Sequence, residues 1–392
     1  KLVNLALAVT TFSLTTFGTF LTRAGVVASV HAFTKSLVGP AYLAFLLLVL
    51  AAGFGLVALR SQQLRSEGRF DSALARESAL LGNAWVILTL AFIVLLGTIF
   101  PVLVETVSDR QVAVGAPYFN QVGKLPFLVL LVLMGVGPLL AWRRSSWVQL
   151  RGQVGMPAAA GAAVVVATVA LGGRSWAAAA TFGIATFVLV ANAGELGRVI
   201  SSFARSNRRP LLAAFSAAVT RNRRLVGALV VHSGVAVAAC AIAASAFASQ
   251  TEISLERGQQ VGFQGYVLRY EGLRPQPEPQ RMVLRAPVSL VQAGRSQGVM
   301  EPALNLYPAA SEPIATPSIR YGPLTDLYVS VLGFDENGQR ATFRVLLNPG
   351  VSWLWLGGAM MAFGGAVAAW PPRHRALPAE DLVLARPLAE VG

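Results

Sequence analysis

The stretch LVGALVVHSGVAVAACAIAASAFA, Leu225 to Ala248, decides the architecture. It contains no Asp, Glu, Lys or Arg, and the bases Arg221, Arg223 and Arg224 stand just before it. A helix rises about 1.5 Å per residue and a bilayer core is about 30 Å thick, so roughly 20 apolar residues make one crossing. Lipid offers the backbone no hydrogen-bond partners, so such a segment is helical. Seven further segments read the same way: Leu2 to Leu21, Leu37 to Leu59, Leu80 to Val104, Leu125 to Trp142, Met156 to Leu171, Trp176 to Gly194 and Val351 to Trp370. Met156 to Leu171 is short and rich in Ala and Gly, and the turn Gly172-Gly173-Arg174-Ser175 pairs it with the next segment as a tight hairpin.

Composition agrees. Of 392 residues, 55% are hydrophobic and 13% charged, against about 25% charged in a soluble domain. A water-soluble enzyme is excluded. The net charge of +14 gains meaning from its placement. Basic residues gather in Arg60 to Arg76, Arg143 to Arg151, Arg198 to Arg224, the tail Arg373 to Arg386, and Lys1, while the alternate short loops hold only Arg23, Lys35, Arg110, Lys124 and Arg174. Basic loops stay on the cytoplasmic side. Both ends of the chain are therefore expected inside, with His31, the loop around Asn120 and the stretch from Ser249 to Pro349 outside. The cluster Arg198 to Arg224 reads as a contact with anionic membrane lipid rather than with nucleic acid.

Ser249 to Pro349 replaces the Ala/Leu/Val runs with Gly, Pro and β-formers, and its acidic and basic residues balance. Tyr328 to Leu332 alternates, Asp335-Glu336-Asn337-Gly338 is a hairpin turn into Ala341 to Leu347, and a second hairpin is expected from Val288 to Leu306, turning near Gly294. The fold class is mainly α: a polytopic membrane helix bundle of about eight transmembrane helices with one exported small β domain. The expected divisions are 1–248, 249–349 and 350–392.

Candidate chemistry is sparse. One cysteine, Cys240, within an apolar run, allows neither an internal disulfide nor a CxxC pair. Glu105 with Asp109 is a solvated pair, no HExxH or nucleophile elbow occurs, and no span clearly carries the charge an ion-coupled transporter uses. Of three histidines, His374 lies in a basic tail. His232 lies about 10 Å into its helix, where a haem ligand and an imidazole bonded to a neighbouring helix through Ser233 or a carbonyl stand as equal readings. His31 is in an outer loop, where position alone favours an idle residue; Arg23 nearby is a candidate clamp for a carboxylate or propionate. His232 is about 24 Å from the outer end of its helix at Ala248, so one haem cannot take both imidazoles. Each site needs a second ligand from outside these residues.

The run Gly18 to Val26 followed by Ser29-Val30-His31-Ala32-Phe33 closely resembles the segment after the tryptophan-rich signature of the CcmF/NrfE family of cytochrome c haem lyases. Glu77 to Asn83, Gly97 to Pro101, Val114 to Asn120, Gly135 to Leu139, Asn222 to Arg224 with His232 to Val237, Thr325 to Val329 and Asn348 to Gly365 resemble later stretches of that family, in order. The resemblance implies a lyase that positions haem for thioether attachment to the CxxCH cysteines of apocytochrome c. It implies His31 as an outer haem ligand and His232 as one ligand of a membrane-bound haem b that keeps the transient substrate haem ferrous. Implied partners are the haem carrier CcmE, apocytochrome c with its CcmH-type thiol chaperone, and quinol. The implied location is the bacterial inner membrane with a periplasmic β domain. No catalytic side chain is assigned. The tryptophan-rich signature and the companion histidines are absent, and Trp353 and Trp355 read as interfacial anchors rather than replacements. Lys1 is accordingly expected to be an interior position of a longer protein. A haem conduit or scaffold, and a small-molecule transporter, are the rival readings.

Overall fold

The computed structural model describes residues 2–23, 38–64, 72–108, 110, 112–143, 145–208, 210–308, 312–335 and 337–371. His31 and His374 lie outside them. The helices are α1 (Leu2–Arg23), α2 (Val38–Leu59), the single turn α3 (Ser61–Leu64), α4 (Arg76–Ser108), α5 (Ala116–Val136), α6 (Trp147–Ala170), α7 (Trp176–Asn207), α8 (Leu211–Arg221), α9 (Arg223–Ala244) and α10 (Val351–Ala369). Eight of these are long and apolar enough to cross a membrane, α3 and α8 excepted. The described residues form two compact units, one holding α1 to α4, α5 up to Leu130 and the segment Ala141–Ser145, the other Leu131–Leu140 and the residues from Ser146 on.

In the first unit, α1 is rich in threonine yet suits lipid because its hydroxyls bond back along the helix. Thr10 donates to the Ala6 carbonyl, Thr11 to that of Leu7 (both 2.8 Å) and Thr16 to that of Phe12 (3.0 Å). Gly53 of α2 lets Val9 of α1 approach closely. α4 and α5 meet where Gly97 faces Tyr118 and Phe119. The first turn of α4 is tied to the segment after α5: the Glu77 carboxylate accepts from the Arg143 backbone N–H at 3.0 Å, and the Arg76 guanidinium lies 5.5 Å from the Trp142 ring.

Three boundaries differ from those expected. α5 begins at Ala116, not Leu125, so Asn120 and Lys124 are helical rather than in a loop; Pro117 is tolerated in a first turn, where no N–H is needed. α6 begins at Trp147, so Arg151 is helical, and Gly161 against the Gly183 carbonyl packs the expected α6–α7 hairpin tightly. α7 continues past Gly194 to Asn207, and α8 follows, so most of Arg198 to Arg224 is helix. Apolarity marks where lipid begins and ends; the intrahelical ladder runs on beyond it.

Residues 249–349 are β: β1 (Ser249–Glu256), β2 (Gln260–Phe263), β3 (Tyr266–Tyr270), β4 (Arg274–Glu278), β5 (Arg281–Arg285), β6 (Val288–Gln292), β7 (Arg295–Met300), β8 (Ala303–Leu306), β9 (Ile314–Thr316), β10 (Ser318–Arg320), β11 (Thr325–Phe334) and β12 (Arg340–Pro349). They form three antiparallel sheets ordered β1-β12-β11-β10, β2-β3-β6-β7 and β4-β5-β8-β9. The first two bury their facing sides in one core of Leu255, Leu327, Val329, Phe343 and Val345 against Leu268, Tyr270, Val288 and Leu290. The β11–β12 hairpin falls where expected. The other hairpin ends sooner: β6 and β7 turn at Ala293-Gly294, both at positive φ. After Glu301-Pro302, β8 crosses into the third sheet beside β5. Proline supplies no N–H to continue a ladder.

Tyr270 is fully buried, lies edge-on to Phe343 (5.4 Å, 65°) and donates its hydroxyl to the Gly338 carbonyl at 3.0 Å. Burial, with Asp335 adding and Arg257 opposing, pushes its phenol up to about 12. A phenol neutral in the fold but ionised above about pH 10 when unfolded contributes stability that is complete below pH 10 and lost as pH rises toward 12. Alkaline unfolding of the β domain should therefore steepen between pH 10 and 12 in the parent and flatten there in Tyr270→Phe. Identical pH profiles count against it.

Candidate functional site

α9 presents three flanks, since successive residues turn by about 100°. The first carries Gly227, Gly234 and Ala238 against α10. A Cβ at Gly234 would lie 2.7 Å from the Gly357 carbonyl oxygen and 2.9 Å from the Met361 nitrogen, and Gly227 meets the Gly364 carbonyl in the same way. The two backbones touch, as small residues permit between membrane helices. The second flank faces α7, with Ala236 packed against Ala185 and Val188, and Cys240 beside them. Here Asn192 of α7, 2% exposed, donates from Nδ2 to the Leu229 carbonyl (3.4 Å) and to Ser233 Oγ (3.3 Å); Ser233 itself donates to the Leu229 carbonyl at 2.8 Å.

His232 lies one turn from both Leu229 and Ala236, on the side of α9 between the α7 contact and its outer flank. Its ring is half-buried, with Nδ1 shut off from solvent. The neighbouring residue, Ser233, is the one α7 grips, so the Asn192 contact fixes how far α9 is rotated and hence which way residue 232 faces. The non-ligand reading offers His232 two partners, Ser233 or a carbonyl; Ser233 itself bonds Asn192 and the Leu229 carbonyl. Asn192 escaped the sequence reading because an amide carries no charge in an otherwise apolar run. Its one signal is that a buried amide in a span needs partners.

Arg23 is the exposed last residue of α1. It belongs to the first unit and His232 to the second, and each is described by itself. Among the described residues no three His, Cys, Asp or Glu side chains come together as a metal cluster. Trp353 is engaged as a polar anchor: its indole N–H donates to the Pro323 carbonyl (2.9 Å), beside a Ser352 hydroxyl bond to the Gly322 carbonyl (2.8 Å). These bonds, with Gly350 N–H to the Leu324 carbonyl (2.8 Å), fasten the β10–β11 turn to the first turn of α10.

Eight apolar spans with a β-sandwich inserted before the last define a multi-pass membrane protein whose one histidine within the described spans is His232. Residues 246–349 match the family model for the CcmF C-terminal beta-sandwich. Over nearly its whole length the chain is similar to cytochrome c-type biogenesis proteins of the CcmF/NrfE type. It is 32% identical to the CcmF of Pseudomonas fluorescens over 94% of its own length and 54% of the relative's. It is 29% identical to Escherichia coli CcmF over 96% and 56%, and 27% identical to the probable cytochrome c-type biogenesis protein NrfE of E. coli over 95% and 53%. A solved structure titled Cytochrome c Heme Lyase CcmF superposes with a TM-score of 0.70 at 31% identity, covering 94% of this chain and 55% of that one. The chain thus spans about half the length of the curated relatives it matches.

Proposed function

We propose that this chain is part of a cytochrome c haem lyase and that His232 is one axial ligand of a haem b held within the membrane. The observation that carries the reading is the placement of His232: a half-buried imidazole inside the otherwise uncharged stretch Leu225 to Ala248, with Nδ1 shut off from solvent. The donor set suits haem better than a bare ion. A protein zinc site gathers about four ligands, whereas haem brings four nitrogens of its own and asks the protein for one or two. A haem held there would supply redox-active iron, while the vinyl groups that accept cysteine thiols would belong to the outer, transient haem. The chain's own residues supply position: Asn192 and Ser233 set the rotation of α9, the α9–α10 contact sets its depth, and the apolar flank excludes water.

His31 serves as a ligand of the outer, transient haem, and Arg23 as a contact for its propionate. The basic loops face the cytoplasm and the β domain the periplasm of the inner membrane. CcmE delivers the haem, the CcmH-type chaperone presents apocytochrome c, and quinol supplies electrons. The parts 1–248, 249–349 and 350–392 serve as membrane body, periplasmic domain and closing span.

Haemochrome spectra and holocytochrome yield, measured on the full-length protein, test this. His232→Ala should lose the b-type signal, and His31→Ala should abolish thioether formation while keeping that signal. A parent without bound haem favours the transporter, and full holocytochrome yield in His31→Ala favours a passive conduit or scaffold.

A further inference from the structure

α8 is eleven residues long, too short to cross a membrane, and begins after Pro210. Ala214 and Ala218 are fully buried where it packs on α7 and α9. Away from that contact Leu212 is 86% and Phe215 46% exposed, and Leu211 at the helix start is 70% exposed, while Val219 is half-buried. An apolar strip turned away from the protein at the end of two membrane spans has one solvent that suits it, the acyl layer below the headgroups.

Charge supports this independently. Arg205 and Arg208 precede α8, Arg221 ends it, and Arg223 and Arg224 follow. Arg205, Arg208, Arg221 and Arg224 are exposed, and among the described residues none has a carboxylate within 4.0 Å, the one nearby ion pair being Arg198 with Glu195. Arg223 keeps its Nε buried with no hydrogen-bond partner among those residues. Guanidiniums left unneutralised beside an apolar strip match an anionic phospholipid, phosphate above and acyl chain below.

We propose that α8 and its bracketing arginines form a binding site for an anionic phospholipid. The reading needs only the multi-pass fold and is independent of haem. Affinity for phosphatidylglycerol should fall about fivefold for each guanidinium removed, so roughly a hundredfold for three. The test uses the full chain in neutral detergent, titrated with phosphatidylglycerol or phosphatidylcholine and followed by native mass spectrometry and thermal unfolding. Phosphatidylglycerol should remain bound and raise the unfolding midpoint, salt should weaken the effect, and Arg208→Gln/Arg221→Gln/Arg224→Gln should lose it; inorganic phosphate should not reproduce it. Equal response to the two lipids, or an unaltered response in the triple variant, overturns the proposal. If that variant does not fold, a bimane at Leu212→Cys in a Cys240→Ser background decides in proteoliposomes: quenching by shallow doxyl lipid supports the site, and water-exposed emission refutes it.

Discussion

Gly234→Val is expected to leave no folded α9–α10 pair. The introduced carbon would fall 2.7 Å from the Gly357 oxygen and 2.9 Å from the Met361 nitrogen, and both are backbone atoms that no rotamer change can move. Overpacking a core that can adjust its side chains costs about 1 to 3 kcal/mol; here the helices must part, so the loss should exceed that range. The reciprocal contacts at Gly227 with Gly364 would open with it, and His232 would lose the scaffold that sets its depth. Gly358→Val makes the matching control, because a Cβ there meets nothing within 4 Å. Size-exclusion profile and thermal midpoint of the detergent-purified chain decide the matter. A Gly234→Val protein as monodisperse and as heat-stable as Gly358→Val shows that the helices are not in backbone contact.

Phe343→Ala should be the most damaging single change in the β-sandwich. Phe343 is 1% exposed on β12, lies edge-on to the fully buried Tyr270 and packs in the core shared by the first two sheets. Truncating a buried aromatic costs about 3 to 5 kcal/mol, a large part of the stability of a domain of about a hundred residues. The β11–β12 amides should exchange far faster in the full-length variant, while those of α9 keep most of their protection. Val299→Ala, at an exposed β7 position, should leave exchange unchanged. Equal exchange in the two variants means that Phe343 is not a core residue.

The eight spans were legible because a bilayer sets a minimum length for an uncharged helix, and nothing in a soluble fold asks for such runs. Their ends were not, since the backbone ladder is indifferent to whether Lys124 or Arg151 sits in lipid or in water. α8 was hidden for a related reason: its three-residue apolar strip lies between arginines and reads as part of a basic loop until its two alanines are seen to be buried. In the β domain, Asp335 to Gly338 announced its turn through residue type, whereas the crossing after Pro302 depends on which sheet has an open edge, a non-local matter. At the candidate site, His232 was legible as an ionisable group out of place. Asn192, which sets the orientation of its helix, carries no charge and became visible only through its contacts.

Strand β1 follows the α9 end after the single 3-10 turn Ser245–Phe247, and β12 leads through Gly350 into α10, with Ser249 opposite Leu347 at the root of their pairing. Below that root the two helices interlock through Gly234 and Gly357; above it the strands are laced through to Glu256 and Arg340. The four elements make a two-pronged fork with both prongs bolted together along their length. Axial creep of α9 against α10 would have to drag one strand past the other, about 3.3 Å per residue of slip, unzipping every rung at once. The stem of the fork carries His232 and its head carries the sandwich, so a push on the head reaches the imidazole as a tilt of the whole fork.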